Sequence, residues 1–313
     1  MTTKEDDYVE DVIVVNSHSL LLFFTNKGRV YAKKAYRVPE AARTAKGTNL
    51  VNIINLQEGE QVTAIISVTD FKEGEFLTMV TKRGVIKRTL LSEFEYQRSA
   101  GKIAINLDED DELIFVRHTT GSESLIIATR EGNAVRFDEN NVRAMGRGAR
   151  GVRGITLTDD DYVVGVAVVD EKKTLLTITE NGVGKRTEFS DFREMKHRGG
   201  RGVCCQNINE KTGKLAAIIA VYEDDDIMLI TNEGTIIRTS VSGINVYSRT
   251  ATGVIVMRLA DGSTINNIAR LEKSEEIEKE SQKVDEEIKN EEVANPTENK
   301  EERASLDSEE ESF

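Results

Sequence analysis

Residues 175–186 read LLTITENGVGKR. The run from Leu175 to Ile178 has the content and length of a buried strand. Asn181-Gly182 places glycine where a hairpin turn needs positive φ. Val183 to Arg186 then returns as a second strand carrying Lys185 and Arg186.

The same phrase occurs as LLFFTNKGRVYAK (21–33), FLTMVTKRGVIKR (76–88), LIIATREGNAVR (125–136) and IMLITNEGTIIR (227–238). Its glycines are Gly28, Gly84, Gly132, Gly182 and Gly234, at separations of 56, 48, 50 and 52. A period near 50 residues signals a propeller or a solenoid.

A second phrase follows each hairpin: a glycine and, six residues later, a large aliphatic side chain. The pairs are Gly101–Leu107, Gly151–Leu157, Gly202–Ile208 and Gly253–Leu259; the first unit has a three-residue insertion, Gly47–Leu56. A turn, usually acidic, and one more apolar run complete each unit. Each repeat is thus expected to supply about four strands, one propeller-type blade. Asp6 to Val15 (DDYVEDVIVV) resembles the run Asp160 to Val169 without a preceding hairpin. The expected fold is all-β: five complete repeats plus an orphan N-terminal strand.

Charge divides the chain in two. The whole carries a formal net charge of -13. Residues 272–313 hold 17 acidic and 6 basic residues, so 1–271 is close to neutral at -2. Residues 1–271 are read as the β domain, and 272–313 as an acidic, disordered tail. Tethered beside basic loops, the tail would act as a polyanion competing with a nucleic acid, or as a solubilising segment.

Basic residues fall at two recurring places. On the strand after each hairpin stand Lys33 and Lys34, Lys87 and Arg88, Arg136, Lys185 and Arg186, and Arg238. In the loop around each Gly-aliphatic phrase stand Arg43 and Lys46, Arg98 and Lys102, then Arg147, Arg150 and Arg153, then Arg198 and Arg201, and Arg249. One such residue on an outer strand face is ordinarily a solvated charge. Recurrence in phase instead suits the row of phosphates on duplex DNA.

The most basic loop, RAMGRGARGVRGITL (143–157), contains G-x-G-x-x-G at Gly146, Gly148 and Gly151. That motif marks a dinucleotide site only between a strand and a helix. Inside a β repeat it reads as a loop whose glycines let a phosphate backbone come close.

Other chemistries find little support. Cys204 and Cys205 are adjacent, which suits reduced thiols in a reducing compartment. His18, His118 and His197 are scattered, so neither a metal site nor a catalytic triad is expected. The acidic turns 108–112, 159–161 and 223–226 read as solvated turns rather than cation sites. Tyr36, Phe94, Tyr96 and Tyr247 are assigned to packing between blades. No cofactor is expected. Apolar runs such as Leu20–Phe24 and Leu215–Val221 are too short to span a membrane, and a cytoplasmic, nucleoid-associated protein is expected.

Four stretches carry a family resemblance: 28–65, VRAMGRGARGVRGITL (142–157), NGVGKRTEF (181–189) and ITNEGTIIRTSVSGI (230–244). Over 8–271 the chain resembles the C-terminal DNA-wrapping domain of the DNA gyrase A subunit, and less closely that of topoisomerase IV. The resemblance implies a β-pinwheel whose blades share strands and whose basic rim wraps double-stranded DNA without sequence preference. It implies a non-catalytic part of an ATP-dependent type II topoisomerase, supporting DNA supercoiling. Its partners would be the gyrase catalytic core and the B subunit, where the tyrosine, metal and ATPase sites lie. The family's basic box, Q-R-R-G-G-K/R-G, belongs to a first blade that would precede Tyr8; Lys196–Gly202 mimics it in a later repeat. The competing expectation is a propeller scaffold that mainly binds the topoisomerase core.

Overall fold

The computed structural model describes residues 13, 15–41, 47–95, 100–158, 160–260 and 262–271. The tail at 272–313 and the orphan strand expected at 6–15, apart from Ile13 and Val15, lie outside these.

All regular structure among the described residues is β-strand or short 3-10 turn. The first unit forms β1 (Leu20–Thr25), β2 (Arg29–Lys34) and β3 (Val62–Val68). The second forms β4 (Phe76–Thr81), β5 (Val85–Leu90), β6 (Lys102–Ile103) and β7 (Leu113–Thr119). The third forms β8 (Ser124–Thr129), β9 (Asn133–Asp138), β10 (Val152–Arg153) and β11 (Val163–Val168). The fourth forms β12 (Thr174–Thr179), β13 (Val183–Glu188), β14 (Val203–Cys204) and β15 (Leu215–Val221). The fifth forms β16 (Asp226–Thr231), β17 (Ile236–Ser240), β18 (Val254–Ile255) and β19 (Ile265–Leu271).

Every hairpin glycine has the left-handed backbone its turn requires, with φ of 71°, 78°, 78°, 77° and 81° from Gly28 to Gly234. The preceding threonine explains the Thr-x-x-Gly pattern. Its carbonyl accepts the glycine N–H, at 3.0 Å for Thr81 and Gly84. Its hydroxyl accepts the N–H just past the glycine, as in Thr81 with Val85 (3.2 Å) and Thr231 with Thr235 (3.1 Å).

The hairpins, their partners and the Gly-aliphatic strands build five antiparallel sheets. Their orders are β3-β1-β2-β6, β7-β4-β5-β10, β11-β8-β9-β14, β15-β12-β13-β18 and the three-stranded β19-β16-β17. The blades therefore share strands between units, as the resemblance implies. β6, β10, β14 and β18 each leave their own unit and pair with the preceding hairpin, as Val152 does with Ile86 and Val254 with Gly184. The outer strand of each hairpin would otherwise offer unpaired backbone groups, and the crossing strand satisfies them.

The crossing is clasped at the turn. The Gly84 carbonyl accepts from Gly154 (2.8 Å) and Ile155 (3.3 Å), and the Gly132 carbonyl from Cys205 (2.8 Å) and Gln206 (3.3 Å). A Cβ on Gly132 would lie 2.5 Å from the Gln206 carbonyl oxygen, so this glycine is required by space as well as by φ.

The central strands are apolar on both faces because each blade is covered on both sides. Leu175 packs toward the third blade with Phe189, Phe192 and Cys205. Its neighbours Leu176 and Ile178 pack toward the fifth with Ile227, Leu229 and Met257. Truncating one such residue to alanine would cost about 2–5 kcal/mol.

Candidate nucleic-acid interface

Strand crossing brings the basic loops of the third, fourth and fifth units onto one connected edge. Each loop leads into its crossing strand and lies against the crossing segment of the preceding unit. The loop at 146–149 meets Asn106, whose Nδ2 donates to the Gly148 carbonyl (2.6 Å) and whose N–H donates to that of Ala149 (3.2 Å). The loop at 196–200 meets Thr156, which donates through its hydroxyl to Gly199 (2.7 Å) and through its N–H to Gly200 (2.9 Å). The loop at 248–252 meets Gln206 and Asn207 through Thr252 (2.7 and 3.1 Å). The carbonyls of Gly146 to Ala149 all accept from within the chain, Gly146 from Ala149 and Arg147 from Lys87. Loop oxygens are thus turned inward.

Several loop cations face solvent. The Arg150 side chain is 72% exposed beside Asp108. Arg153 and Arg201 are exposed. Arg147 is half-buried and lies 3.5 Å from Glu93. Arg198 is partly used inward, donating to the carbonyls of Asn141 (3.1 Å) and Arg153 (2.7 Å). Arg249 donates to the Cys204 carbonyl at 3.0 Å, and Lys102 is half-buried. Arg43, Lys46 and Arg98 lie outside the described residues. Arg143, Arg193 and Lys196 share these loops, are exposed, and were missed as candidates. Their signal was position alone: each precedes a Gly-aliphatic phrase by ten residues or fewer.

Most strand-borne candidates are turned into the protein. Lys87 and Lys185 are fully buried, with amines on backbone carbonyls. Burial pushes both amines down to about 8, helped at Lys87 by the nearby Arg147 charge. Arg88 is buried over the Phe76 ring (4.2 Å) and beside Glu139 (3.4 Å). Arg136 donates to the Phe189 carbonyl (2.7 Å) and to Glu171 (2.8 Å). Arg186 donates to the Ile244 carbonyl and faces Glu223. These arginines staple each blade to the next unit, and a duplex does not reach the buried ones in this conformation. Lys33 is half-buried and Lys34 exposed, donating to the His18 carbonyl (3.0 Å). Arg238 is exposed and paired with Asp226.

Packing takes Phe94, fully buried against Phe24 (5.9 Å), whereas Tyr36 is exposed. Tyr96 lies outside the described residues. Cys204 and Cys205 are free thiols, and burial pushes Cys205 up to about 12. Among the described residues no cluster of three or more His, Cys, Asp or Glu could hold a metal ion, and no helix is long and apolar enough to cross a membrane.

The family described as DNA gyrase C-terminal domain, beta-propeller, matches residues 19–69, 75–120, 123–170, 173–221 and 225–272. The DNA gyrase A subunit of Staphylococcus aureus (strain NCTC 8325 / PS 47) is 43% identical over 281 residues, covering 89% of this chain and 32% of the relative. That of Staphylococcus epidermidis (strain ATCC 12228 / FDA PCI 1200) is 42% identical over 279 residues, 88% of this chain and 31% of the relative. The chain thus spans about a third of these relatives. A solved DNA gyrase A C-terminal domain superposes with a TM-score of 0.70 at 30% identity, covering 82% of this chain and 84% of that one. The C-terminal domain of DNA topoisomerase IV superposes with a TM-score of 0.79 at 26% identity, covering 87% and 84%. With five successive segments matched, one per repeat unit, the chain belongs to the DNA gyrase C-terminal domain family.

Proposed function

We propose that this chain is a non-catalytic DNA-binding and DNA-bending module of the DNA gyrase A subunit, holding duplex phosphates with its basic inter-blade loops. One observation supports this most. Gly146 and Gly148 flank Arg147, neither has left-handed φ, and a Cβ on either would meet nothing within 4 Å. Among the described residues nothing calls for glycine there, which suits close approach by an external backbone.

The contacting set is Arg147, Arg150, Arg153 and Arg201, joined by Arg143, Arg193 and Lys196. Arg198, Arg249 and Lys102 contribute at the margin, as do Lys33, Lys34 and Arg238. Arg43, Lys46 and Arg98 belong to the set by sequence position. Bending a duplex costs about 1–6 kcal/mol, so many weak contacts must act together. The tyrosine, metal and ATPase chemistry of the type II topoisomerase resides in the catalytic core and the B subunit, its protein partners. The working place is the bacterial cytoplasm, on the nucleoid, with residues 1–271 as the DNA-binding domain and 272–313 as an acidic appendage.

The test is fluorescence anisotropy with a labelled duplex of about 40 base pairs across a salt series. Affinity should fall steeply with salt, by about 0.9 log unit per log unit of salt for each phosphate neutralised. Flat salt dependence, or no binding at low salt, would refute the reading. The topoisomerase IV likeness supports a second assignment of the same module. Relaxed circular DNA treated with a nicking-closing enzyme should shift in linking number with the chain present if it wraps DNA with one hand.

A further inference from the structure

We infer that Lys87 and Lys185 are positioning residues, each holding the basic loop of the next unit from inside the protein, Lys87 so that Arg147, Arg150 and Arg153 are presented to the duplex and Lys185 so that Arg249 is held at its margin. The inference rests on the DNA-binding reading above. Lys87 Nζ donates to the carbonyls of Ala104 (2.6 Å) and Arg147. Lys185 Nζ donates to those of Ser248 (2.8 Å) and Arg249 (2.6 Å). Both lysines stand three residues after a hairpin glycine, and both reach the backbone of the loop arginine in the following unit.

The fold itself does not demand lysine at this place. The same position is Tyr31, Val135 and Ile237 in the other units. Burying an ammonium group is costly unless hydrogen bonds replace water, and the loop carbonyls supply them. Loop length varies in step with the residue behind it. Six residues separate Met145 from Gly151 and Tyr247 from Gly253, and both loops are held by lysine. Seven separate Met195 from Gly202, where Val135 stands behind and Arg198 reaches inward instead.

The experiment is a double-mutant cycle on the full chain, combining Lys87→Met with the triple change of Arg147, Arg150 and Arg153 to alanine. Duplex binding is read by anisotropy across a salt series, and folding by circular dichroism. Lys87→Met alone should weaken binding on the order of tenfold and lower the salt slope by about 0.9 for each phosphate no longer neutralised. Added to the triple variant, it should change little, because the arginines it positions are gone. Wild-type affinity in folded Lys87→Met, or full additivity, would overturn the inference and leave DNA binding standing. Absence of binding by the wild type would sink both. If Lys87→Met does not fold, Lys87→Leu, which likewise has no donor, carries the same cycle. Failure of both to fold would assign Lys87 to blade stability and overturn the proposal.

Discussion

Arg150 Nη1 lies 2.7 Å from Asp108 Oδ1, joining the basic loop of the third unit to the acidic turn of the second. Both side chains are largely exposed, so the pair is worth at most about 1 kcal/mol. Under the proposed DNA binding its effect is competitive, since Asp108 occupies Arg150 in place of a phosphate. Asp108→Asn should tighten duplex binding about two- to fivefold at low salt, a gain that shrinks as salt rises. Anisotropy at two salt concentrations checks it.

Gly148→Val should separate binding from folding. Its backbone is not left-handed and the space around it is open, so the melting temperature should hold or rise slightly. Duplex affinity should fall severalfold. Gly132→Ala, with φ of 78° and a crowded Cβ, should instead lower stability by more than about 1 kcal/mol.

Arg136→Met should do the opposite of a loop arginine change. It leaves the Phe189 carbonyl without its charged donor, costing about 1–3 kcal/mol by urea melting. The salt slope of duplex binding by the remaining folded protein should not move.

Stability should also respond to pH through the buried lysines. Folding lowers the Lys87 amine from its ordinary 10.5 to about 8. Between those values the unfolded chain holds more protons than the folded one, so stability rises with pH and the gain is lost as pH falls toward 8. The wild-type melting temperature should therefore climb relative to Lys87→Met between pH 8 and pH 10. A constant difference would contradict it.

The hairpins were legible in sequence because their turn chemistry is local: Thr81, Gly84 and the residues between them carry it unaided. The destination of the crossing strands was not. Nothing within Val152-Arg153 states that its partner is Ile86 in the preceding blade and not a strand of its own unit. The burial of Lys87 and Arg88 was not legible because a lysine has the same letter whether its amine meets water or carbonyls. A usable signal existed. Their hairpin partners Leu77, Thr78, Met79 and Val80 are suited to burial on both faces, so the strand beside them had to be covered on both faces too.

Strand crossing also determines where mechanical load goes. The loop at 143–151 leaves the third blade at Val142, which is buried in the packing between the second and third blades. It ends in β10, bonded to β5 of the second blade. A bent duplex recoiling against Arg147 would therefore pull on both neighbours at once and draw their seam together. Resistance comes from backbone ladders on either side, so curvature held by the DNA and cohesion between neighbouring blades would reinforce each other.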